Sequence, residues 1–328
     1  MPMANSPEVS IVMPVWKPHA DWYPTAVASA LEQEGCSTEL IVVDDGNDPP
    51  VRLPPFAADA AHLVRIEHAG PAAARDAGRR AARGNWIRFA DADDVLPPDG
   101  TFHLLRAAAV RPDAALVFGD TLLCDATLTP HRLDHCRLRK VTAVDCLLGR
   151  FNAWLPAMLF ARDVAEVLEP SDSRLEVSTD WDYVLRALDH GPGYRVPRCV
   201  YIYRQHHGSL STSGDRGRGS RAAREIVGSY FARHPEQRGT RIEGAARRRV
   251  EAHEFRDSLS GVKWWRNRRF WAGLVIHPRP ALRALPVLIR SSLPRRLSAV
   301  IHRLRGRRGA SEHPPQLPPP PGRGSRRR

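Results

Sequence analysis

Asp91-Ala92-Asp93-Asp94 puts three carboxylates within four residues, directly after the apolar run Trp86-Ile87-Arg88-Phe89-Ala90. The run reads as a short strand and the acids as its stop. Carboxylates this close repel one another when ionised. A hard divalent cation that takes oxygen ligands relieves the repulsion, and it can bridge a diphosphate as well. A solvated acidic turn has the same sequence, so the quartet alone leaves both readings open.

A second acidic stop follows the apolar run Glu39 to Val43. It reads Asp44-Asp45-Gly46-Asn47-Asp48. Such residues make turns and cap helices. A carboxylate there can also accept a hydrogen bond from an N–H donor on a ligand. Asp180 and Asp182 open an amphipathic stretch, where the helix dipole favours acids. One carboxylate on the acceptor side of a displacement would also serve as its base. His206 and His207 stand as a pair, a pattern that surface and core positions share with ligands.

These residues need a scaffold. Val9 to Val15, Glu39 to Val43, Leu63 to Ile66 and Trp86 to Ala90 read as strands. Trp22 to Glu34 and the Ala-rich Gly70 to Arg83 between them read as helices. Strand–helix alternation with polar residues at strand carboxyl ends predicts a mostly parallel α/β sheet flanked by helices. Further on, Thr101 to Val110, Ala161 to Leu168 and Trp181 to His190 read as helices, and Ala115 to Asp120 and Tyr194 to Tyr203 as strands. Arg221 to His253 reads as one or two polar helices interrupted near Pro235.

The chain has 328 residues and a formal net charge of +13. Residues 262–328 hold 17 Lys and Arg against one acid, Glu312, a balance of +16, so the body carries −3. A nearly neutral body argues against a broad nucleic-acid footprint, and a basic tail suits an anionic surface. Five scattered cysteines without a CxxC pair read as reduced thiols of a cytosolic protein. The first residues lack a charged and apolar leader, and no run of 18 apolar residues occurs, so neither a signal peptide nor a transmembrane helix is expected.

Five blocks in order carry a resemblance. They are VSIVMPVW (Val9 to Trp16), IVVDDGND (Ile41 to Asp48), Gly70 to Asp94, STDWDYVLRAL (Ser178 to Leu188) and YRQHHGSLS (Tyr203 to Ser211). Together the chain resembles the family 2 glycosyltransferases with the GT-A, Rossmann-like fold. The resemblance implies a nucleotide-diphosphate sugar donor, with UDP favoured by the carboxylate at the base, together with Mn2+ or Mg2+ and inversion at the anomeric centre. It implies Asp93 and His206 as metal ligands and Asp180 as the catalytic base. Pro14, Trp16, Asp44, Asp45, Arg75, Asp91 and Arg204 fall in the nucleotide-sugar pocket. Arg204, Ser209 and Ser211 would bind phosphate from a closing loop. Phe151 to Phe160 is the candidate acceptor region. The chain departs from the family at Trp16 (usually Tyr or Phe), Asn47 (usually Ser), Asp76 (usually Asn) and Thr179 (often Glu).

The domains expected are a GT-A domain over 5–215, a helical extension over 216–261, a basic amphipathic segment over 262–308 and a disordered Pro/Arg-rich tail over 309–328. Trp264, Trp265 and Trp271 among arginines suit a membrane interface. The expected place is therefore cytoplasmic, on the inner face of a membrane, with a saccharide or lipid-linked acceptor from the cell envelope. A nucleotidyltransferase with an acidic metal site, and a non-catalytic nucleotide-sugar-binding or membrane-interaction protein, remain as alternatives.

Overall fold

The computed structural model describes residues 6–152, 154–168, 175, 177–206 and 217–259, with side chains to residue 254. The expected segments 262–308 and 309–328, with His207, Ser209 and Ser211, lie outside the described residues.

Strands β1 (Val9–Val15) and β2 (Thr38–Asp45) are almost wholly buried, which explains their continuous apolar runs. β1 pairs in parallel with β2 on one side and with β4 (Trp86–Phe89) on the other, and β2 pairs in parallel with β3 (Ala61–Ile66). Pro14 is tolerated in this central strand because β4 has parted from β1 after the Val12–Phe89 pair.

The rest of the sheet is built from β5 (Leu116–Cys124), β6 (Pro130–Asp134), β7 (Lys140–Val141), β8 (Met158–Ala161) and β9 (Gly193–Arg204). Its order is β3-β2-β1-β4-β8-β5-β9-β7, with β6 added to β5. β5 and β9 run parallel, while β8 lies antiparallel between β4 and β5. The antiparallel direction puts the amino end of β8 beside the carboxyl end of β4 and against Phe118 in the first half of β5.

Helices cover both faces. Helices α1 (Trp22–Leu31) and α3 (Gly100–Ala108) enclose one apolar core. On the other face, α2 (Gly70–Ala81), α4 (Ala143–Leu147), α5 (Arg162–Val167), α6 (Thr179–Ala187), α7 (Arg218–Arg233) and α8 (Arg241–Leu259) build the second. Gly78 lets α2 lie flat on the sheet, since a Cβ there would fall 2.2 Å from Val12 Cγ1. The break near Pro235 is a short 3-10 turn between α7 and α8.

Helices α7 and α8 fall within the expected helical extension over 216–261 and pack on the same face as α2 and α6. Ile226, Tyr230 and Phe231 of α7 and Ala246 and Val250 of α8 belong to the same core as α2 and α6, and the compact unit runs to Asp257. Polar, Arg-rich helices concealed this because their apolar stripe is narrow.

Arg88 of β4 is fully buried. It bonds Thr101 Oγ1 at 2.5 Å, the Pro156 carbonyl at 3.3 Å and the Val200 carbonyl. Burial pulls its guanidinium down to about 9. These bonds tie β4 to α3, to the turn before β8 and to β9, immediately upstream of the acidic quartet.

Candidate active site

The turn after β2 joins two strand ends. Asp44 Oδ1 accepts from the Asn47 backbone N–H at 2.9 Å and from Asn47 Nδ2 at 2.6 Å. Its Oδ2 accepts from the Val51 N–H at 3.2 Å and from Arg65 Nη1 at 3.0 Å. Burial raises the Asp44 carboxyl, but the Asn47 and Val51 bonds and Arg65 outweigh it, and the group is held below its ordinary value. Asp45 accepts from the Ala69 N–H at 2.9 Å, the Gly70 N–H at 3.1 Å and His68 Nδ1 at 2.9 Å. Both carboxylates are 1% exposed. A carboxylate has about four acceptor positions. Among the described residues all of Asp44's are taken by protein donors. Asp45 retains one.

Asn47 explains its departure from the family's usual Ser. Its Nδ2 reaches the Val15 carbonyl at 2.9 Å, and its Oδ1 accepts from the Lys17 N–H at 2.7 Å. The longer amide spans β1 and β2 where a hydroxyl would not. Trp16 is 38% exposed and stacks on His68, with centroids 3.8 Å apart and planes at 15°.

The acidic quartet sits at the carboxyl end of β4. Asp91 Oδ1 accepts from Arg75 Nη2 at 3.1 Å. Arg75 Nε is buried and has no hydrogen-bond partner among the described residues. Asp93 Oδ2 lies 2.8 Å from His206 Nε2. Burial and the neighbouring Asp91 push the Asp93 carboxyl up, opposed by His206. Asp94 is buried under the Tyr201 hydroxyl and accepts from the Arg204 N–H at 2.6 Å. Burial, Asp93 and Asp91 raise its carboxyl well above the usual range.

Arg204 is 4% exposed. Its Nε donates to the Asp93 carbonyl at 2.7 Å and its Nη1 to the Ala126 carbonyl at 2.8 Å. It therefore clamps the acidic loop from behind. The reason is register: Arg204 is the last residue of β9, paired with Cys124. Trp22 packs beside this clamp, 4.6 Å from the His206 ring and 5.0 Å below the Arg204 guanidinium.

The two acids of α6 part company. Asp182 is buried and takes Arg186 Nε at 2.8 Å, an i,i+4 pair on the core side. Asp180 is partly buried on the other side of the helix, with Arg75 and Asp91 as its charged neighbours. Burial raises the Asp180 carboxyl, and Arg75 opposes it. Among the described residues no cluster of three His, Cys, Asp or Glu side chains is arranged to hold a metal ion. The donor set nevertheless fits one: two repelling carboxylates with an imidazole suit a divalent cation of the Mn2+ or Mg2+ kind.

Residues 10–156 match the family described as Glycosyl transferase family 2. Succinoglycan biosynthesis protein ExoO of Rhizobium meliloti is 38% identical over 229 residues, 62% of this chain and 63% of that protein. Residues 10–156 are thus similar to the glycosyltransferase family 2 domain. The chain spans less than two thirds of that relative's length. The fold is shared with S. aureus TarS in complex with UDP-GlcNAc (TM-score 0.54, 14% identity, 89% of this chain and 83% of that one). It is shared too with the mannosyltransferase PcManGT of Pyrobaculum calidifontis (TM-score 0.50, 17% identity, 92% and 81%).

Within this domain the structure brings Arg75, Asp91, Asp93, Asp94, Asp180 and His206 to one end of the sheet. Sequence reasoning missed Tyr201, Arg65, His68 and Trp22. Tyr201 had a signal: it shares a strand face with Tyr203 and Arg204 lies one step beyond, so period 2 aims it at the quartet. Arg65 and His68 had none, because their partners Asp44 and Asp45 lie more than twenty residues away.

Proposed function

We propose that the domain transfers a sugar from a nucleoside-diphosphate sugar to an acceptor hydroxyl with inversion at the anomeric carbon. The observation that carries the proposal is the meeting of Arg75, Asp91 and Asp180 beside Asp93. Arg75, with its orphaned Nε, binds the negative donor. Asp91 contacts the ribose. Asp180 faces the acceptor and takes its hydroxyl proton, and burial that raises its carboxyl makes it a better base. Trp16 and the remaining acceptor position of Asp45 serve the base, which favours uridine. Asp93 and His206 would hold a divalent cation, which when bound offsets the charge of the leaving diphosphate. In support, TarS of the same fold is complexed with UDP-GlcNAc, and PcManGT with GDP-Man and Mn2+.

The acceptor proposed is a saccharide or lipid-linked saccharide of the cell envelope, in keeping with the succinoglycan role in the name of ExoO. We place the protein at the inner face of a membrane through residues 262–308. No helix among the described residues is long and apolar enough to cross one. The body adds an exposed basic ribbon, Arg132, Arg137, Arg139 and Lys140. Deleting residues 262–328 should abolish co-sedimentation with anionic liposomes and leave donor hydrolysis intact. The transfer reading is tested by incubating the full chain with a panel of nucleotide sugars. Release of a nucleoside diphosphate supports it, and release of pyrophosphate would make the protein a nucleotidyltransferase. The anomeric configuration of the product, read by NMR, tests inversion.

A further inference from the structure

We infer that Trp154, Asp134 and Asn152 form the platform that receives the acceptor sugar ring, and that the acceptor is a pyranoside. This rests on the transfer reading above and adds the recognition chemistry of its second substrate.

The topology sets the place. β8 pairs with the first half of β5, up to Phe118–Met158, and β6 pairs with the second half, starting at Thr121–Asp134. Residues 152 and 154–157 enter the gap between these two partners. On their other side lies the carboxyl end of β4, through the Arg88–Leu159 pair and the Arg88 bond to the Pro156 carbonyl. The segment therefore stands next to the acidic quartet.

The side chains there are arranged as a rigid plate. Trp154 Nε1 donates to Asp134 Oδ2 at 2.5 Å, and Asn152 Nδ2 donates to the same oxygen at 2.6 Å. The indole plane is fixed by this bond and by Tyr203, whose ring lies 5.0 Å away at 40°. Tyr203 lies 6.2 Å from Tyr201, and the Tyr201 hydroxyl reaches Asp91 Oδ2 at 3.4 Å. An aromatic wall thus runs from the platform to the transfer centre.

The polar atoms left over have one sign. Asp134 Oδ1 and Asn152 Oδ1 accept no hydrogen bond among the described residues, and Asn152 is exposed. Two acceptors beside an aromatic face suit adjacent sugar hydroxyls over an apolar C–H face. A few placed polar groups on an aromatic wall are the usual make-up of a small-ligand site. A merely structural Trp154 would need the indole N–H bond and the Tyr203 contact, but nothing would require the exposed Asn152 amide to join them.

The probes are octyl β-D-glucopyranoside and octyl β-D-galactopyranoside below their micellar concentrations, added to the full chain. Saturation-transfer NMR reads binding, and initial rates with the hydrolysed nucleotide sugar read transfer. Trp154→Ala should raise the pyranoside KM about tenfold. Donor KM and donor hydrolysis should stay within about twofold, the spread of a contact that donor does not make. Trp154→Phe should recover part of the loss. Asn152→Ala, at an exposed position that cannot threaten the fold, should raise the same KM to a smaller degree. Equal loss of donor hydrolysis and transfer, an unchanged pyranoside KM in Asn152→Ala and Trp154→Ala, or no saturation transfer to wild type would overturn the platform. A wild type that hydrolyses no nucleotide sugar yet binds pyranosides would instead defeat the transfer reading.

Discussion

Two aspartate clusters end two parallel strands of one sheet, and their electrostatics are opposite. After β2, Asp44 meets four protein donors and is held below the ordinary carboxylate range despite burial. After β4, burial and mutual repulsion push Asp93 and Asp94 above it, with His206, Tyr201 and the Arg204 N–H compensating only in part. Residue type and topological place are shared, so neither distinguishes a structural acid from a working one. The supply of donors does. Asp44 in the first cluster is complete without a ligand, while the second cluster carries negative charge that a cation would relieve.

The sharpest way to break this contrast is to remove one acid from each cluster and assay transfer. Asp93→Ala should cost about 10³-fold or more in turnover, the scale of losing a group that stabilises transition-state charge. Chelator should do the same to wild type, reversed by Mn2+ or Mg2+. Calorimetric titration of Mn2+ should show binding to wild type and none to Asp93→Ala. Full turnover in excess chelator would show that the second cluster is no more a cation site than the first.

A smaller loss should separate the acids of α6 in the same way. Asp180→Asn removes the proton acceptor and should cut transfer about 10²- to 10⁴-fold with nucleotide affinity nearly unchanged. The acid limb of wild-type transfer should lie above the ordinary carboxylate value, because burial raises Asp180. Asp182→Asn breaks the buried pair with Arg186 and should appear as a lower Tm with modest kinetic change. If Asp182→Asn proves the crippling change, the division of labour is reversed.

What could be read in advance follows the same division. Apolar runs buried on both faces, such as β1 and β2, announce themselves, and so do acids at their ends. β8 did not, because Met158 to Ala161 continues an apolar stretch and its antiparallel direction is decided by partners 40 and 70 residues away. β6, with Asp134 in it, is polar and mostly exposed, so no hydrophobic period marks it. The roles inside a cluster were equally hidden. The partners of Arg204, the carbonyls of Asp93 and Ala126, lie far from it in sequence. The four donors of Asp44 come from Asn47, Val51 and Arg65, and no local pattern announces Arg65 among them.

Stability should therefore respond with opposite tendencies in the two clusters. Asp44→Ala strands Asn47 Nδ2, the Val51 N–H and Arg65, and should cost about 3 kcal/mol. For a domain of this size that is a fall in Tm of several degrees, at least about 5 °C. Asp93→Asn removes repulsion with Asp91 while keeping a partner for His206, and should leave the Tm of metal-free protein unchanged or higher. Thermal melts in chelator decide it: a larger fall for Asp93→Asn than for Asp44→Ala would erase the contrast.

The smallest effect expected is in acid. Asp44 has a folded-state pKa below its unfolded value, so its stabilisation is fully present above about pH 4 and is lost as pH falls through the lowered folded value. Asp44→Asn resembles the protonated acid and lacks this term at every pH. The stability gap between wild type and Asp44→Asn should thus be widest near neutrality and should narrow as the pH drops below about 4. Urea titrations at pH 6, 5, 4 and 3, numbers set by the ordinary Asp value of about 3.9, would measure the gap directly. A gap that stays constant across this range would mean that the donors around Asp44 hold a neutral oxygen as well as a charged one, and Asp44 would lose its claim to be electrostatically complete.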